Sequence, residues 1–221
     1  MALTVYYNPL SQPSRAVVLF CKYNKIPYHE KVIDLAKGEH RMPEYTAIQP
    51  AQSVPAIKDG DFTLGESTAI VRYLAAKYNV ADHWYPKNIE TRAQIDAYLA
   101  WQHTGIREAG INVMVNEIFV PKRTGKPKDQ EAVDKFVKEA EESIGKINRL
   151  FLKGKRFLCG DEISVADLFA ICELVQPLAC PSGKGLLKNQ PEIADWMKRV
   201  EDKLNPDYDE LNKPLKAVCQ Q

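Results

Sequence analysis

The sequence predicts an α/β domain followed by an all-helical domain within its 221 residues. Strand and helix signals alternate over residues 1–80, and after the stretch KYNVADHWYPKN (residues 77–88) strand signals all but vanish. Beyond that stretch, apolar residues recur at helical spacing. We therefore expect one domain over residues 1–80 and a second over residues 89–221.

The first domain opens with a predicted strand, helix and strand. Leu3–Asn8 is short, β-branched and aromatic, as is typical of a strand. Pro13 then stands early in a predicted helix, whose apolar residues follow the i, i+1, i+4, i+7 spacing from Ala16. Tyr28–Leu35 is the second predicted strand. This order implies parallel pairing of the two strands through a right-handed crossover.

A hairpin and another helix complete the first domain. Asp59-Gly60, between AIK and DFTL, predicts a hairpin with a type I′ turn, in which both turn residues have φ > 0. Glu66 and Ser67 then begin a helix with an apolar face. The full order is βαβ, a connecting segment and ββα, which is the thioredoxin-like arrangement.

The second domain carries several helix signals. Apolar residues from Glu131 to Leu152 have helical spacing, and Pro191–Leu204 predicts another helix with proline at its start. Ser164 and Asp167 have the spacing of a capping box, with Asp in place of the usual Glu. Residues 121–130 are basic and rich in helix breakers, so we expect a solvated loop there.

The composition argues against several classes of function. Thirty Lys and Arg against 29 Asp and Glu give a formal charge of +1, without the basic excess of a nucleic-acid binder. No apolar run reaches the roughly 18 residues of a membrane span, and the first residues lack the regions of a signal peptide. The five cysteines include no C-x-x-C, and no ligand spacing links the four histidines. We expect a cytoplasmic protein without a metal, and neither nucleic acid nor membrane as a partner.

Residues 11–14, SQPS, have the spacing of a C-x-P-C redox motif with hydroxyls in place of both thiols. Redox chemistry at such a motif needs sulfur, so this frame suggests that the sulfur arrives with a substrate. Ser11 is also well suited to capping the helix that follows, and the residues leave both roles open. Ser14 is the alternative hydroxyl. Ser11 is favoured because it precedes the helix.

Two further segments could recognise a small thiol peptide. Pro55, just before a strand, is predicted to be a cis-proline facing Ser11, which would turn the backbone of Val54 outward to pair with an extended peptide. Glu66 and Ser67 combine a helix N-terminus that favours an anion with a carboxylate for an ammonium group, although simple capping is the alternative. Together these features fit glutathione.

The chain resembles the cytosolic glutathione transferases, most closely their theta class. The matching stretches run from residue 10 to about residue 170 and are LSQPSRA, VIDLAKGEH, QPAQSVPAIKDGDFTLGES, DHWYP, AYLAWQH and ISVADL. Each is weak alone, and their common order and spacing make the resemblance specific.

The resemblance implies a role for each site residue. Ser11 would be the catalytic residue that stabilises the glutathione thiolate. The residues implied to bind glutathione are Gln12, His40, Arg41, Val54, Glu66, Ser67 and Arg107. We expect Arg107 in the first long helix of the second domain.

The resemblance also implies the reaction and the partners. Glutathione would be the co-substrate, without a further cofactor, and would be conjugated to small hydrophobic electrophiles. The substrate types that the resemblance implies are alkyl halides, epoxides and organic hydroperoxides. The electrophile pocket would be lined by the first strand–helix loop and by the helix from Arg107 to Ile118, and the protein would be a homodimer. The alternatives are a glutathione-dependent peroxidase and a non-enzymatic glutathione- or ligand-binding protein. A redox enzyme with its own reactive cysteine is disfavoured, because Cys21 is expected in the core.

Overall fold

Four strands form one mixed sheet in the computed structural model, which describes residues 2–220. They are β1 (Leu3–Tyr7), β2 (Tyr28–Val32), β3 (Ala56–Asp59) and β4 (Phe62–Leu64), in the order β2-β1-β3-β4. β1 and β2 are parallel, whereas β3 pairs antiparallel with both β1 and β4. The predicted β-helix-β unit is therefore confirmed.

Helices make up most of the remaining chain. In chain order they are α1 (Gln12–Tyr23), α2 (Pro43–Thr46), α3 (Ser67–Lys77), α4 (Ile89–Trp101), α5 (Ile106–Met114), α6 (Val120–Thr124), α7 (Gln130–Ile147), α8 (Val165–Ala179), α9 (Pro191–Leu204) and α10 (Asp207–Cys219). Beyond β4, the described chain contains helices, turns and one isolated β-bridge, between Phe157 and Gly160. An α/β thioredoxin-like part followed by an all-α part is thus confirmed.

The sheet is covered on both faces, as the alternation of side chains in β1 requires. Leu3, Val5 and Tyr7 belong to the main hydrophobic core, which also includes α1 and α3. Tyr6 points to the other face and packs in a second cluster with Tyr45 of α2. The start of α1, which directly follows β1, is therefore held between a rigid sheet and the helices behind it.

Two predictions in the first domain are wrong in detail. The second strand ends at Val32 rather than Leu35, because β1 ends at Tyr7, whose carbonyl accepts the last backbone hydrogen bond, from Ile33 at 2.8 Å. The hairpin turn lies one residue later than predicted, since Asp59 pairs with Phe62. Within that turn only Gly60 has a positive φ, so the predicted type I′ turn is wrong.

α8 is the central helix of the second part, and every residue from 165 to 177 is buried. The predicted capping box at its start is confirmed: the backbone N–H of Ser164 donates to Asp167 Oδ2 at 2.9 Å. Asp167 also accepts from the N–H of Leu158 at 2.9 Å and from the indole N–H of Trp196 at 2.8 Å. One carboxylate therefore links the loop before α8, its first turn and α9.

Other helix predictions in the second domain are refined by the structure. Pro191–Leu204 is confirmed as α9. The helix predicted from Glu131 to Leu152 begins at Gln130 and widens into a π-helical turn over Asn148–Leu152. The segment predicted as a loop over residues 121–130 begins inside α6, which ends at Thr124, and it is exposed from Lys122 onward.

Candidate functional site

The loop between β1 and α1 is shaped by Asn8. Its side-chain oxygen accepts from the backbone N–H of Leu10 at 2.9 Å, and its amide nitrogen donates to the carbonyl of Ile33 at 2.9 Å. The N–H of Ser11 then donates to the carbonyl of Asn8 at 3.0 Å. These short-range hydrogen bonds place Ser11 at the N-terminal end of α1.

Ser11 and Ser14 occupy different environments. Ser11 is the N-cap of α1, with extended backbone angles, and its hydroxyl oxygen accepts from the N–H of Ser14 at 3.4 Å. It is half-buried, whereas Ser14 is fully buried and its hydroxyl accepts from the N–H of Asn8 at 3.4 Å. A capping hydroxyl keeps its own proton. Capping and hydrogen-bond donation are therefore compatible at Ser11, and Ser14 has no access to a ligand.

Arg15 is an interior residue of this site that the sequence analysis missed. It is fully buried, and its guanidinium donates to the carbonyl of Pro9 at 3.0 Å, to the carbonyl of Cys172 at 3.1 Å and to the amide oxygen of Gln176 at 2.7 Å. Gln176 in turn donates to the carbonyl of Leu10 at 3.2 Å. The loop that carries Ser11 is therefore held by α8 of the second part. A lone arginine within the apolar run of α1 was the available signal.

Arg107 lies at the start of α5, and the prediction that it lies in the first long helix of the second domain is wrong. That helix, α4, ends at Trp101. The following turn ends at Gly105, where a side chain would collide with the ring of Trp101: an added Cβ would lie 2.6 Å from a ring carbon.

A buried glutamate pairs with Arg107. The guanidinium of Arg107 donates through Nε to Glu173 Oε1 at 2.8 Å. Burial raises the pKa of Glu173, while Arg107 and Arg15 act against that shift. The positive charges of two guanidinium groups, one from each part of the chain, therefore favour the ionised form of Glu173. Its place in the middle of the apolar helix α8 was the sequence signal that the analysis missed.

His103 connects Arg107 electrostatically to the start of α3. Arg107 lies 3.0 Å from His103 Nδ1, and because a guanidinium only donates, Nδ1 accepts and the neutral ring carries its proton on Nε2. Burial and the charge of Arg107 lower the pKa of His103, while Glu66 acts in the opposite direction. Glu66 and Arg107 therefore act on the same imidazole with opposite effects on its pKa.

Replacing His103 by glutamine is expected to reduce the free energy of unfolding that the protein loses as the pH falls. A histidine whose pKa is lowered by folding binds its proton more readily in the unfolded state, so it costs stability as the pH falls below about 6.5. Urea unfolding at about pH 7.5 and about pH 5.5 measures this loss, which should be smaller in His103→Gln than in the wild type. His29→Gln, on the exposed strand β2, controls for removing a histidine. Equal losses in the wild type and His103→Gln would contradict the expectation.

The start of α3 agrees with its prediction. Glu66 is the N-cap, exposed and with a positive φ of 60°, and Ser67 is the buried first residue of the helix. The preceding Gly65 is required by close approach, because an added Cβ would lie within 2.0 Å of the amide of Gln49. This packing keeps the segment from Gln49 onward against the start of α3.

The other predicted residues lie in three separate segments. The Val54–Pro55 peptide bond is cis, which confirms that prediction, and within residues 2–220 the backbone of Val54 has no hydrogen-bond partner. Gln12 is buried, and its amide nitrogen has no partner. His40 and Arg41 lie in a short 3₁₀ turn, and no hydrogen bond or ion pair within the described chain joins them to the other predicted residues.

The protein's own thiols are poorly placed for chemistry at this site. All five cysteines are free and buried, and burial raises the pKa of Cys21, in α1, to about 12. Among the described residues there is no cluster of potential metal ligands. No helix within residues 2–220 has the length and apolar character of a membrane span. The half-buried hydroxyl of Ser11, rather than a thiol of the protein, is therefore the reactive-site candidate at the start of α1.

Comparisons with known proteins agree over nearly the whole chain. Family models of the glutathione S-transferase N-terminal and C-terminal domains match residues 1–76 and 111–203. Human glutathione S-transferase theta-1 is 40% identical over 207 residues, which cover 94% of this chain and 85% of that protein.

Solved structures give the same result. The apo form of human glutathione-S-transferase T1-1 superposes with a TM-score of 0.93 and 38% identity, covering 99% of this chain and 91% of that one. A human theta-class enzyme in complex with the glutathione conjugate of 1-menaphthyl sulfate superposes with a TM-score of 0.94 and 35% identity, covering 100% of this chain and 90% of that one. The chain therefore belongs to the glutathione S-transferase family and, within it, to the theta class.

Proposed function

We propose that the chain joins the sulfur of glutathione to small, mostly apolar electrophiles, and that Ser11 activates this sulfur by donating a hydrogen bond to the thiolate. Membership of the theta class supports glutathione conjugation in general. The observation that supports this role of Ser11 is its position. Its hydroxyl oxygen caps α1, while its own O–H remains available to donate at the N-terminal end of the helix. The fully buried Ser14 lacks that access.

The energetics of thiolate formation fit one hydroxyl donor at a helix start. A thiol of pKa about 8.5 must be lowered by roughly two units for work near pH 7, which corresponds to about 2.7 kcal/mol. A hydrogen bond to a charged group supplies roughly 1.5–3 kcal/mol. The N-terminus of a helix adds roughly 0.3–1 kcal/mol, and α1 has 12 residues. Ser11 therefore only needs to donate a proton in a hydrogen bond, without ionising.

The reaction needs no cofactor, because each bond that forms is matched by one that breaks. The thiol proton of glutathione leaves to water, and the sulfur lone pair forms a bond to the electrophilic carbon. A halide departs with its bonding pair, or an epoxide oxygen opens and takes a proton. The protein's contribution is stabilisation of the thiolate and proximity of the two substrates.

The peptide part of glutathione has matching groups around Ser11. The unpartnered backbone of Val54 is available to pair with the cysteinyl unit. Glu66 and Ser67 would hold the γ-glutamyl end, Glu66 by its carboxylate and Ser67 at the N-terminus of α3.

The remaining binding residues are cationic or amide groups. His40, whose buried Nδ1 has no partner, and the exposed Arg41 would hold the glycine carboxylate. Gln12 has an unsatisfied amide nitrogen beside Ser11. Arg107 is partly exposed and carries a positive charge that favours the thiolate.

The electrophile would bind between the two parts of the chain. We assign glutathione binding to residues 1–80 and the electrophile pocket to residues 89–221, with the loop before α1 and the segment from Arg107 to Ile118 as its walls. Leu10 and Met114 both approach Gln176, which brings these two walls together. A cytoplasmic homodimer completes this proposal, and it rests on the family resemblance.

Ser11→Ala tests the proposed role directly. The ultraviolet absorbance of the thiolate, followed across pH, gives the thiol pKa of bound glutathione. We expect this pKa to be lowered by roughly two units in the wild type and by much less in Ser11→Ala, with a loss in kcat/KM of about 10- to 150-fold, as a charged hydrogen bond predicts. Conjugation of alkyl halides or epoxides would indicate a transferase, and reduction of organic hydroperoxides would indicate a peroxidase.

Ser14→Ala is the matched control, since it removes a hydroxyl three residues away and should leave the thiol pKa lowered. An ordinary thiol pKa in the wild type, without turnover of any electrophile, would instead indicate a glutathione-binding protein. If only Ser14→Ala abolished the lowering of the thiol pKa, the activating hydroxyl would be that of Ser14 and not that of Ser11.

A further inference from the structure

Two buried cysteines that the proposed reaction does not use lie against each other at the ends of two helices. Cys180 directly follows α8, and Cys219 is the last residue of α10. Their sulfur atoms are 3.9 Å apart. Within the described residues 2–220, no other pair of cysteines is within hydrogen-bonding distance.

We propose that Cys180 and Cys219 are a disulfide site, at which exchange with a small disulfide such as glutathione disulfide links α10 covalently to α8. This inference does not depend on the role of Ser11. A disulfide bond is about 2.05 Å long, so the two sulfurs must approach by a little under 2 Å from their separation of 3.9 Å.

Hydrogen bonds next to each cysteine hold the two thiols in position. After Cys180, the N–H of Ser182 donates to Glu117 at 3.1 Å and its hydroxyl donates to the same carboxylate at 2.7 Å. Before Cys219, the ammonium group of Lys122 donates to the carbonyl of Val218 at 3.1 Å. Both anchors come from the segment between α5 and α7. The segments that carry the two thiols are therefore bonded to the same stretch of chain.

The surroundings decide which thiol reacts first. Cys219 retains 7% exposure and lies at a helix terminus, which opens more readily than a helix interior, whereas Cys180 is fully buried. The hydrogen bond between the two thiols, together with the charge of Lys122, lowers the pKa of Cys219, and the same hydrogen bond and burial raise the pKa of Cys180. Cys219 is therefore the attacking thiol and Cys180 the resolving one.

The exchange balances in two steps. The thiolate of Cys219 attacks one sulfur of glutathione disulfide, forming a mixed disulfide and releasing one glutathione thiolate. The sulfur of Cys180, losing its proton to that released thiolate or to water, then attacks the sulfur of Cys219 and releases the second glutathione. The two protein thiols lose two electrons and two protons, and one glutathione disulfide becomes two glutathione molecules.

Cys159 provides a matched comparison within the chain. It has the same 7% exposure as Cys219, but it has no neighbouring thiol, and burial raises its pKa to about 12. Cys21 and Cys172 are fully buried, and burial raises the pKa of each to about 12. These three cysteines should remain reduced.

The test treats the reduced full-length protein with glutathione disulfide, blocks remaining thiols and maps the peptides by mass spectrometry. We expect the wild type to lose the mass of two hydrogens through a Cys180–Cys219 bond that dithiothreitol reverses. Cys180→Ser should instead retain one glutathionyl group on Cys219, and Cys219→Ser should gain none. Cys159→Ser should form the bond as the wild type does. Thiols that stay reduced, a bond between another pair, or a persistent mixed disulfide in the wild type would each overturn the proposal.

Thermal unfolding gives a second measurement on the wild type alone. The bond would close a loop between residues 39 positions apart, so the oxidised protein should unfold at a Tm about 5 °C or more above that of the reduced protein. An unchanged or lower Tm would show that the bond does not form within the native packing, and it would overturn the proposal.

Discussion

Replacing Arg15 by methionine is expected to lower the free energy of unfolding by about 3–5 kcal/mol, the usual result of removing one partner from a buried charged group. The change leaves the carbonyls of Pro9 and Cys172 and the amide oxygen of Gln176 without their donor. It also leaves the buried Glu173 with the single guanidinium of Arg107. Urea unfolding measures the loss.

The same variant should impair catalysis, because Arg15 holds the loop that carries Ser11 without itself reaching a ligand. We expect kcat to fall and the thiol pKa of bound glutathione to rise toward its ordinary value in the protein that remains folded. Arg15→Lys keeps the positive charge but loses the planar guanidinium group with its several donors. It should therefore retain only part of the wild-type stability and of the wild-type kcat. Arg123→Met, at an exposed position of α6, controls for loss of a surface arginine. A folded Arg15→Met with a wild-type thiol pKa would show that Arg15 acts on stability alone.

Asp167→Ala should destabilise the protein by about 4 kcal/mol, since several buried donors lose their acceptor. The backbone N–H groups of Leu158 and Ser164 and the indole N–H of Trp196 all donate to this carboxylate. A loss of that size corresponds to a Tm lower by roughly 8–16 °C for a chain of this length. Thermal unfolding followed by circular dichroism measures it.

Two variants make the Asp167 experiment specific. Asp161→Ala removes an exposed carboxylate six residues earlier and should change the free energy of unfolding by less than about 0.5 kcal/mol. Asp167→Asn keeps one oxygen acceptor and should lose less stability than Asp167→Ala. A small effect of Asp167→Ala, comparable with that of Asp161→Ala, would contradict a central role for the capping box.

Features that depend on neighbouring residues were predictable from the sequence. The capping box joins Ser164 to a residue only three positions away, and the helix after SQPS begins at Gln12 because a serine cap and an early proline favour it. The hairpin was predictable as a hairpin, but its turn type depends on which residues pair across the strands. That pairing moved the turn to Gly60-Asp61.

The interior of the site was not predictable, because its contacts join distant parts of the chain. Arg15 meets Gln176 across 161 residues, and Arg107 meets Glu173 across 66. Nothing in the local sequence of α1 or α8 names the partner. A charged residue within an apolar helix predicts only that some partner exists. Local motifs pointed to Ser11 and Glu66, and the resemblance to a family added Arg107; neither identified the buried residues behind them.

The long-range bonds of Arg15 have a consequence for how the protein is made. A ribosome adds roughly 5–20 residues per second, so α8 is synthesised roughly 8–30 s after α1. During that interval Arg15 already has the carbonyl of Pro9 within reach, but its other two partners, Cys172 and Gln176, have not yet been synthesised. The nascent chain can therefore form its sheet early, but the loop that holds Ser11 reaches its working shape only when α8 docks. With the role proposed for Ser11, competence for catalysis would be acquired only after α8 has been made and has docked.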